Sequence, residues 1–244
     1  MIEERGYSNV FGDWVDLMIY ALTQQEENYI RTIGRYRNNS PIGNREADYF
    51  AEAFHLLMAA TQEIQHDAIG KVYEEFAMHS KSRQQALGQF FTPQHICDLM
   101  TQLNLGDQPY DPQEEGAVLD PACGSGRLMV SMIIERPNNH YTGIDLDPIC
   151  TKMTALNLLF FNVNGYALNG DSLKCTVEWG FETRRTFLGG MMREMTPEQC
   201  AQAQRNIVDS WEARKNNANQ PTETPETGVP RIIETEQLTL FEMG

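Results

Sequence analysis

The sequence predicts an α/β fold: a parallel, doubly wound sheet preceded by a helical region. Two observations carry this. Ala117-Val118-Leu119-Asp120, Tyr141-Thr142-Gly143-Ile144-Asp145 and a run from Ala167-Leu168 to Asp171 are short, apolar and each end in an aspartate. They alternate with helix-compatible segments, and that alternation is the mark of parallel strands joined by crossover helices. Upstream the period is different. Trp14, Val15, Leu17, Met18, Ala21 and Leu22, and then Tyr49, Phe50, Phe54, Leu57, Ala60 and Ile64, repeat at helical spacing.

Taken in order, residues 10–87 read as helices whose aromatic and apolar positions form core. The run Asn39-Ser40-Pro41-Ile42-Gly43-Asn44 separates two of them. A shorter helix is expected from about Val72 to Met78, after Gly70. Leu128 to Ile134 should be helical after the first strand. Pro148 should open the next helix, at the position where proline costs no backbone bond. Thr186-Phe187-Leu188 is read as one more short strand, and Pro197 to Lys215 as a polar helix. Residues 216–235 are rich in Asn, Thr, Pro and Glu and have little to bury, which predicts a flexible linker. The expected divisions are a helical region at 1–87, a sheet domain at 88–190, a helix at 191–215 and a tail at 216–244.

Composition narrows the chemistry. The chain has 244 residues and a net charge of -15, from 19 basic and 34 acidic residues. Arg31, Arg35, Arg37 and Arg45 lie near one another, as do Lys81 and Arg83, but they read as solvated helix faces. The acidic balance counts against strong phosphate binding by this chain alone. Five cysteines without a Cys-x-x-Cys pair read as reduced thiols. No His-Glu-x-x-His spacing suggests zinc. No basic-then-apolar leader or bilayer-length apolar run is seen, so a cytoplasmic protein is expected.

The candidate site follows from the strand ends. Ligands of open α/β sheets sit beyond the carboxyl ends of the strands. Gly124 and Gly126, directly after the first strand, allow close backbone approach. Asp120, Asp145 and Asp171 end the three strands. Carboxylates suit a ligand with an ammonium, a sulfonium, ribose hydroxyls and an exocyclic amine, and suit a pyrophosphate poorly. The turn is Cys-Gly-Ser-Gly with an acid at its head, not the Gly-x-Gly-x-x-Gly of a nicotinamide cofactor site.

Four motifs occur in order: Gly88-Gln89-Phe90-Phe91-Thr92-Pro93, Asp120 through Gly126, Gly143-Ile144-Asp145-Leu146-Asp147-Pro148, and Asn169-Gly170-Asp171-Ser172. Over residues 10–175 the chain resembles the gamma-type DNA adenine-N6 methyltransferases, and in particular the modification subunits of type I restriction systems. The resemblance implies a Rossmann-like core, here truncated, that binds S-adenosylmethionine. It implies that Phe90, Thr92 and Pro93 close over the methionine end of the cofactor, that Asp120, Ala122 and Gly124 line its amino-acid moiety, and that Gly126 belongs to the same cofactor-binding set. Asp145 would accept hydrogen bonds from the ribose hydroxyls, Leu146 would pack on the adenine, and Asp171 beside Ser172 would take the adenine amine. DNA and a companion methyltransferase or specificity subunit are the implied partners.

One part of the family pattern is missing. The adenine amine is a poor nucleophile, and the family meets it with Asn-Pro-Pro followed by Tyr or Phe, whose ring stacks on the flipped base. This chain has no Pro-Pro, and no asparagine precedes a proline. After Asp171 the window holds Trp179, Phe181, Arg184, Arg185 and Phe187, with no substitute. No catalytic residue is assigned. Near the C-terminus, Gln237-Leu238-Thr239-Leu240-Phe241 resembles the pentapeptide by which many bacterial proteins bind the replication sliding clamp. That makes Gln237, Leu238, Leu240 and Phe241 candidate partner-binding residues on a flexible arm. The alternative function is thus a catalytically inactive accessory module tethered to the clamp.

Overall fold

The computed structural model describes residues 7–37, 39–78, 91–106, 109–113 and 115–218. Two compact units are present, Met1–Val208 and Asp209–Gly244. The described residues of the second are the end of the last helix. The helical part comprises α1 (Tyr7–Leu22), α2 (Glu26–Ile33), α3 (Glu46–Ile64), α4 (Ala68–Met78) and α5 (Gln94–Leu105). The remainder runs β1 (Ala117–Asp120), α6 (Arg127–Glu135), β2 (His140–Asp145), α7 (Pro148–Phe160), β3 (Gly165–Asp171), β4 (Thr176–Arg184), β5 (Met191–Glu194) and α8 (Pro197–Ala218). Among the described residues this is a mixed α/β protein with one five-stranded sheet in the order β1-β2-β3-β4-β5.

The expected parallel sheet holds for only part of that order. β1, β2 and β3 are parallel, joined by α6 and α7, but β4 pairs antiparallel with β3, and β5 antiparallel with β4. The reason is length: only residues 172–175 separate β3 from β4, and a parallel return needs a crossover of a dozen or so residues. Thr186-Phe187-Leu188 is not a strand. It lies between β4 and β5, where the Gly189 N–H closes a turn onto the Thr186 carbonyl at 3.3 Å and Phe187 and Leu188 are exposed.

Side chains alternate across the sheet as strand geometry requires. Val118, Tyr141, Ala167 and Phe181 pack toward α1, α6 and α7, whereas Leu119, Ile144 and Leu168 pack toward Cys200, Ala203 and Ile207 of α8. β1 is an edge strand, so Ala117 is exposed and Val118 and Leu119 are only half-buried. α1 is buried nearly all round through Phe11, Val15, Met18 and Ile19, and it ties the helical part to α7. The Trp14 indole N–H donates to the Phe50 carbonyl at 3.2 Å, holding α1 on α3. Tyr49 and Ile64, expected in the core, instead line an apolar groove between α1, α3 and α4.

Helix ends are set by local chemistry. Asp147 accepts from the Ile149 N–H at 2.9 Å and Pro148 occupies the first turn, so α7 starts where proline predicts. α4 begins before Gly70, not after it, because the Asp67 carboxylate caps it through the Gly70 N–H at 2.8 Å. At the β3–β4 junction the register shifts between Asn169 and Gly170. A Cβ at Gly170 would lie 2.0 Å from the Thr176 carbonyl oxygen, so the two backbones meet only because the side chain is absent.

Candidate functional site

A cavity of about 280 Å³ opens at the carboxyl ends of β1 and β2. The loop after β1 builds its floor. Asp120 ends the strand, and its carboxylate accepts from the Ala122 N–H at 3.1 Å. The Cys123 N–H then donates to the Ile144 carbonyl at 3.0 Å, drawing the loop across to β2. Gly124 has φ +56° and its N–H donates to Asp145 Oδ2 at 2.8 Å. Gly126 has φ +86° and precedes the first residue of α6. Both conformations favour glycine. At Gly124 space adds a second reason, since a Cβ there would lie 3.0 Å from the Phe91 ring.

The electrostatics are acidic. Burial pushes the Asp120 carboxyl above its ordinary range, and the nearby Asp145 charge pushes it the same way. Asp145 Oδ1 accepts from the Asp147 N–H at 2.9 Å, so each oxygen of that carboxylate holds one backbone donor. Each oxygen has a second lone pair for a ligand donor. Cys97, Cys123 and Cys150 also line the cavity, and burial raises all three thiols above their usual range. They are neutral thiols at physiological pH, not nucleophiles.

Among the described residues Arg127 is the cationic side chain on the cavity wall, and its bonds are taken. Its guanidinium donates to Asp67 at 3.2 Å, to both oxygens of Glu74 at 3.1 and 2.9 Å, and to the Thr92 carbonyl at 3.2 Å. The loop's N–H groups at 122 and 124 are likewise satisfied by carboxylates. A pyrophosphate would meet carboxylates where it needs N–H donors. Ligand hydroxyls, amines or a cationic centre would find acceptors. The donor set therefore fits S-adenosylmethionine and does not fit a dinucleotide.

Of the residues expected from sequence, the cavity brings together Thr92, Asp120, Ala122, Gly124 and Asp145. Gly126 is buried directly behind the loop, where a Cβ would be 3.1 Å from Thr154 Oγ1. Pro93 is exposed at the start of α5, and Leu146 is 70% exposed beyond the end of β2. Asp171 and Ser172 do not line the cavity. Asp171 pairs with Lys174 at 2.8 Å and accepts from the Leu173 and Lys174 N–H groups, which holds its carboxyl below the usual range. Phe90 and the tail residues Gln237, Leu238, Leu240 and Phe241 lie outside the described residues.

Sequence reasoning missed several residues here. Phe91, not only its neighbours, borders Gly124, and Ser125, within the loop itself, is fully buried. Arg127 carried a signal: a cation in the first turn of a helix opposes the helix dipole, so it needed a partner elsewhere. The basic cluster upstream is partly neutralised, Arg35 by Asp13 at 2.9 Å and Arg45 by Asp48 at 2.6 Å. In the window after Asp171, Phe181 is core, Trp179 packs on it, and Arg184 pairs with Glu182 at 2.8 Å. Among the described residues no His, Cys, Asp and Glu group is placed to hold a metal ion, and no helix is long and apolar enough to cross a membrane.

Comparison with known proteins is consistent with a mixed α/β methyltransferase fold. Residues 64–183 match the family described as N-6 DNA Methylase. The chain is 26% identical over 163 residues to the MjaIX type I restriction enzyme methylase subunit of Methanocaldococcus jannaschii, covering 63% of this chain and 28% of that protein. It is 30% identical over 122 residues to the MpnII methylase subunit of Mycoplasma pneumoniae, covering 46% of this chain and 22% of that one. These matches support the N6 DNA methylase family, and the chain spans about a quarter of the relatives' length. No solved structure matches it.

Proposed function

We propose that the chain binds S-adenosylmethionine and is the cofactor-binding part of an adenine-N6 DNA methyltransferase of the type I restriction-modification kind. One observation carries the reading: the loop N–H groups at 122 and 124 face carboxylates at the ends of β1 and β2 instead of an open anion site. In this reading β1–β3 and their crossover helices are a Rossmann-like cofactor core within residues 88–190. The helical region 1–87 stands before it; β5 carries the sheet past residue 190 to Glu194, so the helix expected at 191–215 is α8 at Pro197–Ala218, and the tail follows.

The residue roles are proposals of the same standing. Asp145 takes the ribose hydroxyls on its remaining lone pairs, and Leu146 covers the adenine. Asp120, Ala122 and Gly124 hold the amino-acid moiety, with Gly126 supporting the loop from behind and Phe90, Thr92 and Pro93 at the methionine end. Asp171 and Ser172 are the candidates for the adenine amine, although they lie outside the cavity and Asp171 is held by Lys174. S-adenosylmethionine, when bound, supplies an electrophilic methyl on a sulfonium. The chain's own residues bind and orient it and keep a negative field around the cationic sulfur.

These 244 residues hold no Asn-Pro-Pro-aromatic run, so in this reading transfer to DNA in the cytoplasm draws that element from outside them, as from a companion methyltransferase or specificity subunit. The test is a labelled methyl-transfer assay on adenine-containing duplex DNA. The expected result is cofactor binding without transfer by the chain alone. Transfer by the purified chain would refute the need for a completing partner. A second reading, an inactive module tethered to the sliding clamp, is favoured by the same absence together with Gln237-Leu238-Thr239-Leu240-Phe241. It predicts clamp binding that a Leu240→Ala, Phe241→Ala double variant loses, and unchanged affinity in that variant would remove it.

A further inference from the structure

We propose that Asp67 and Glu74, in the helical part of the chain, are positioning residues for the cofactor pocket. They act through Arg127 to fix the Phe91–Thr92 segment against the glycine loop. The inference rests on the reading of the pocket as an S-adenosylmethionine site.

Asp67 is fully buried, and four donors converge on its carboxylate. Oδ1 accepts from the Gly70 N–H and from the Asn157 amide, both at 2.8 Å. Oδ2 accepts from the Ser125 hydroxyl at 2.5 Å and from Arg127 Nε at 3.2 Å. These donors come from α4, α7, the glycine loop and the first turn of α6. Asn157 also donates to the Ser125 carbonyl at 2.8 Å, so Ser125 is held at both its side chain and its backbone. One carboxylate from outside the sheet thus fixes the loop that forms the pocket floor.

Arg127 carries the connection to the pocket's other wall. Glu74 holds the two terminal nitrogens of its guanidinium in a fork, and one of those nitrogens also donates to the Thr92 carbonyl. The guanidinium stands 5.5 Å from the centre of the Phe91 ring, whose edge fills the space a Cβ on Gly124 would take. Arginine suits this task because its planar fork sets several bonds at once, which a lysine ammonium cannot do. The packing is tight at its centre. A Cβ on Gly70 would fall 1.9 Å from Asp67 Oδ2 and 2.6 Å from Ser125 Oγ.

If the network only stabilised the fold, weakening it would lower the melting temperature and leave ligand selectivity unchanged. If it positions the Phe91–Thr92 segment, its loss falls on the part of the ligand that segment meets. Adenosine lacks the methionine portion, so the ratio of the two affinities separates these cases.

The experiment is calorimetric titration of the full chain with S-adenosylmethionine and with adenosine, for the wild type, Arg127→Lys and Glu74→Gln. Glu74 is half-buried at the edge of the network, so its variant keeps the fold should Arg127→Lys not. Each variant is expected to weaken S-adenosylmethionine by about tenfold or more, the size of a lost charge-assisted hydrogen bond. Adenosine is expected to weaken by less than about threefold, because the variants leave Asp145 and the loop N–H groups in place. Equal weakening of both ligands, or no weakening of either, overturns the positioning role while the cofactor reading stands. A wild type that binds neither ligand refutes the cofactor reading itself, and the positioning role with it.

Discussion

The two halves of the sheet are built on different logic. β1, β2 and β3 run parallel, receive α6 and α7 as crossovers, and deliver a carboxylate at each end. β4 and β5 return as an antiparallel meander and deliver none to the cavity. The first half places the half-buried carboxylates of Asp120 and Asp145 and the positive-φ glycines Gly124 and Gly126 around one cavity. The second half is a packing surface, in which Phe181 joins the core and Glu182 is held by Arg184 and Arg193. The difference teaches that the cavity is lined from the ends of β1 and β2 and not from β4 or β5. Asp171, at the boundary between the halves, belongs in its contacts to the second.

The largest effect that would break the comparison lies at that boundary. Gly170→Ala should cost about 2–4 kcal/mol of stability, since the new methyl would overlap the Thr176 backbone and force β3 and β4 apart. Urea unfolding checks this, and an unchanged midpoint would mean that the junction is soft. Next comes Gly124→Ala, expected to cost about 1–2 kcal/mol from its left-handed backbone and from crowding Phe91. Unlike Gly170→Ala, it should also weaken S-adenosylmethionine, because its damage falls inside the cavity.

How much of this was legible in the sequence divides along the same line. The three strand-end aspartates, the proline start of α7 and the glycine loop were readable, because each rests on a local rule. The antiparallel return is not among those expectations, which place only Thr186-Phe187-Leu188 as a strand after Asp171. Val177, Trp179 and Phe181 do alternate at strand period, and a connection as short as 172–175 excludes a parallel return. The Asp67–Arg127 network was illegible for another reason. Its members are separated by 60 positions, and no local pattern pairs them.

A smaller effect concerns protons. Burial raises the Asp120 carboxyl, so between the ordinary carboxylate range and that raised value the folded protein holds more protons than the unfolded chain. Stability from this group therefore falls as pH rises across that window and is level above it. A cationic ligand favours the ionised form, so S-adenosylmethionine should bind with proton release and weaken as pH falls into the window. Titrations in buffers of different ionisation enthalpy read this directly, and Asp120→Asn should abolish the dependence. The smallest effect is expected at Asp171. With its carboxylate committed to Lys174 and its own turn, Asp171→Ala should weaken the cofactor by about tenfold or less. A larger loss would move Asp171 into the first half of the comparison.

The most direct test of the central claim is titration of the chain with S-adenosylmethionine and with NAD, for the wild type and for Asp145→Ala. Asp145 both holds the Gly124 N–H and lies at the end of β2 in the cavity. The account predicts that the wild type binds S-adenosylmethionine in preference to NAD, and that Asp145→Ala loses about a hundredfold or more in affinity. Preference for NAD, or S-adenosylmethionine binding untouched by Asp145→Ala, would contradict it.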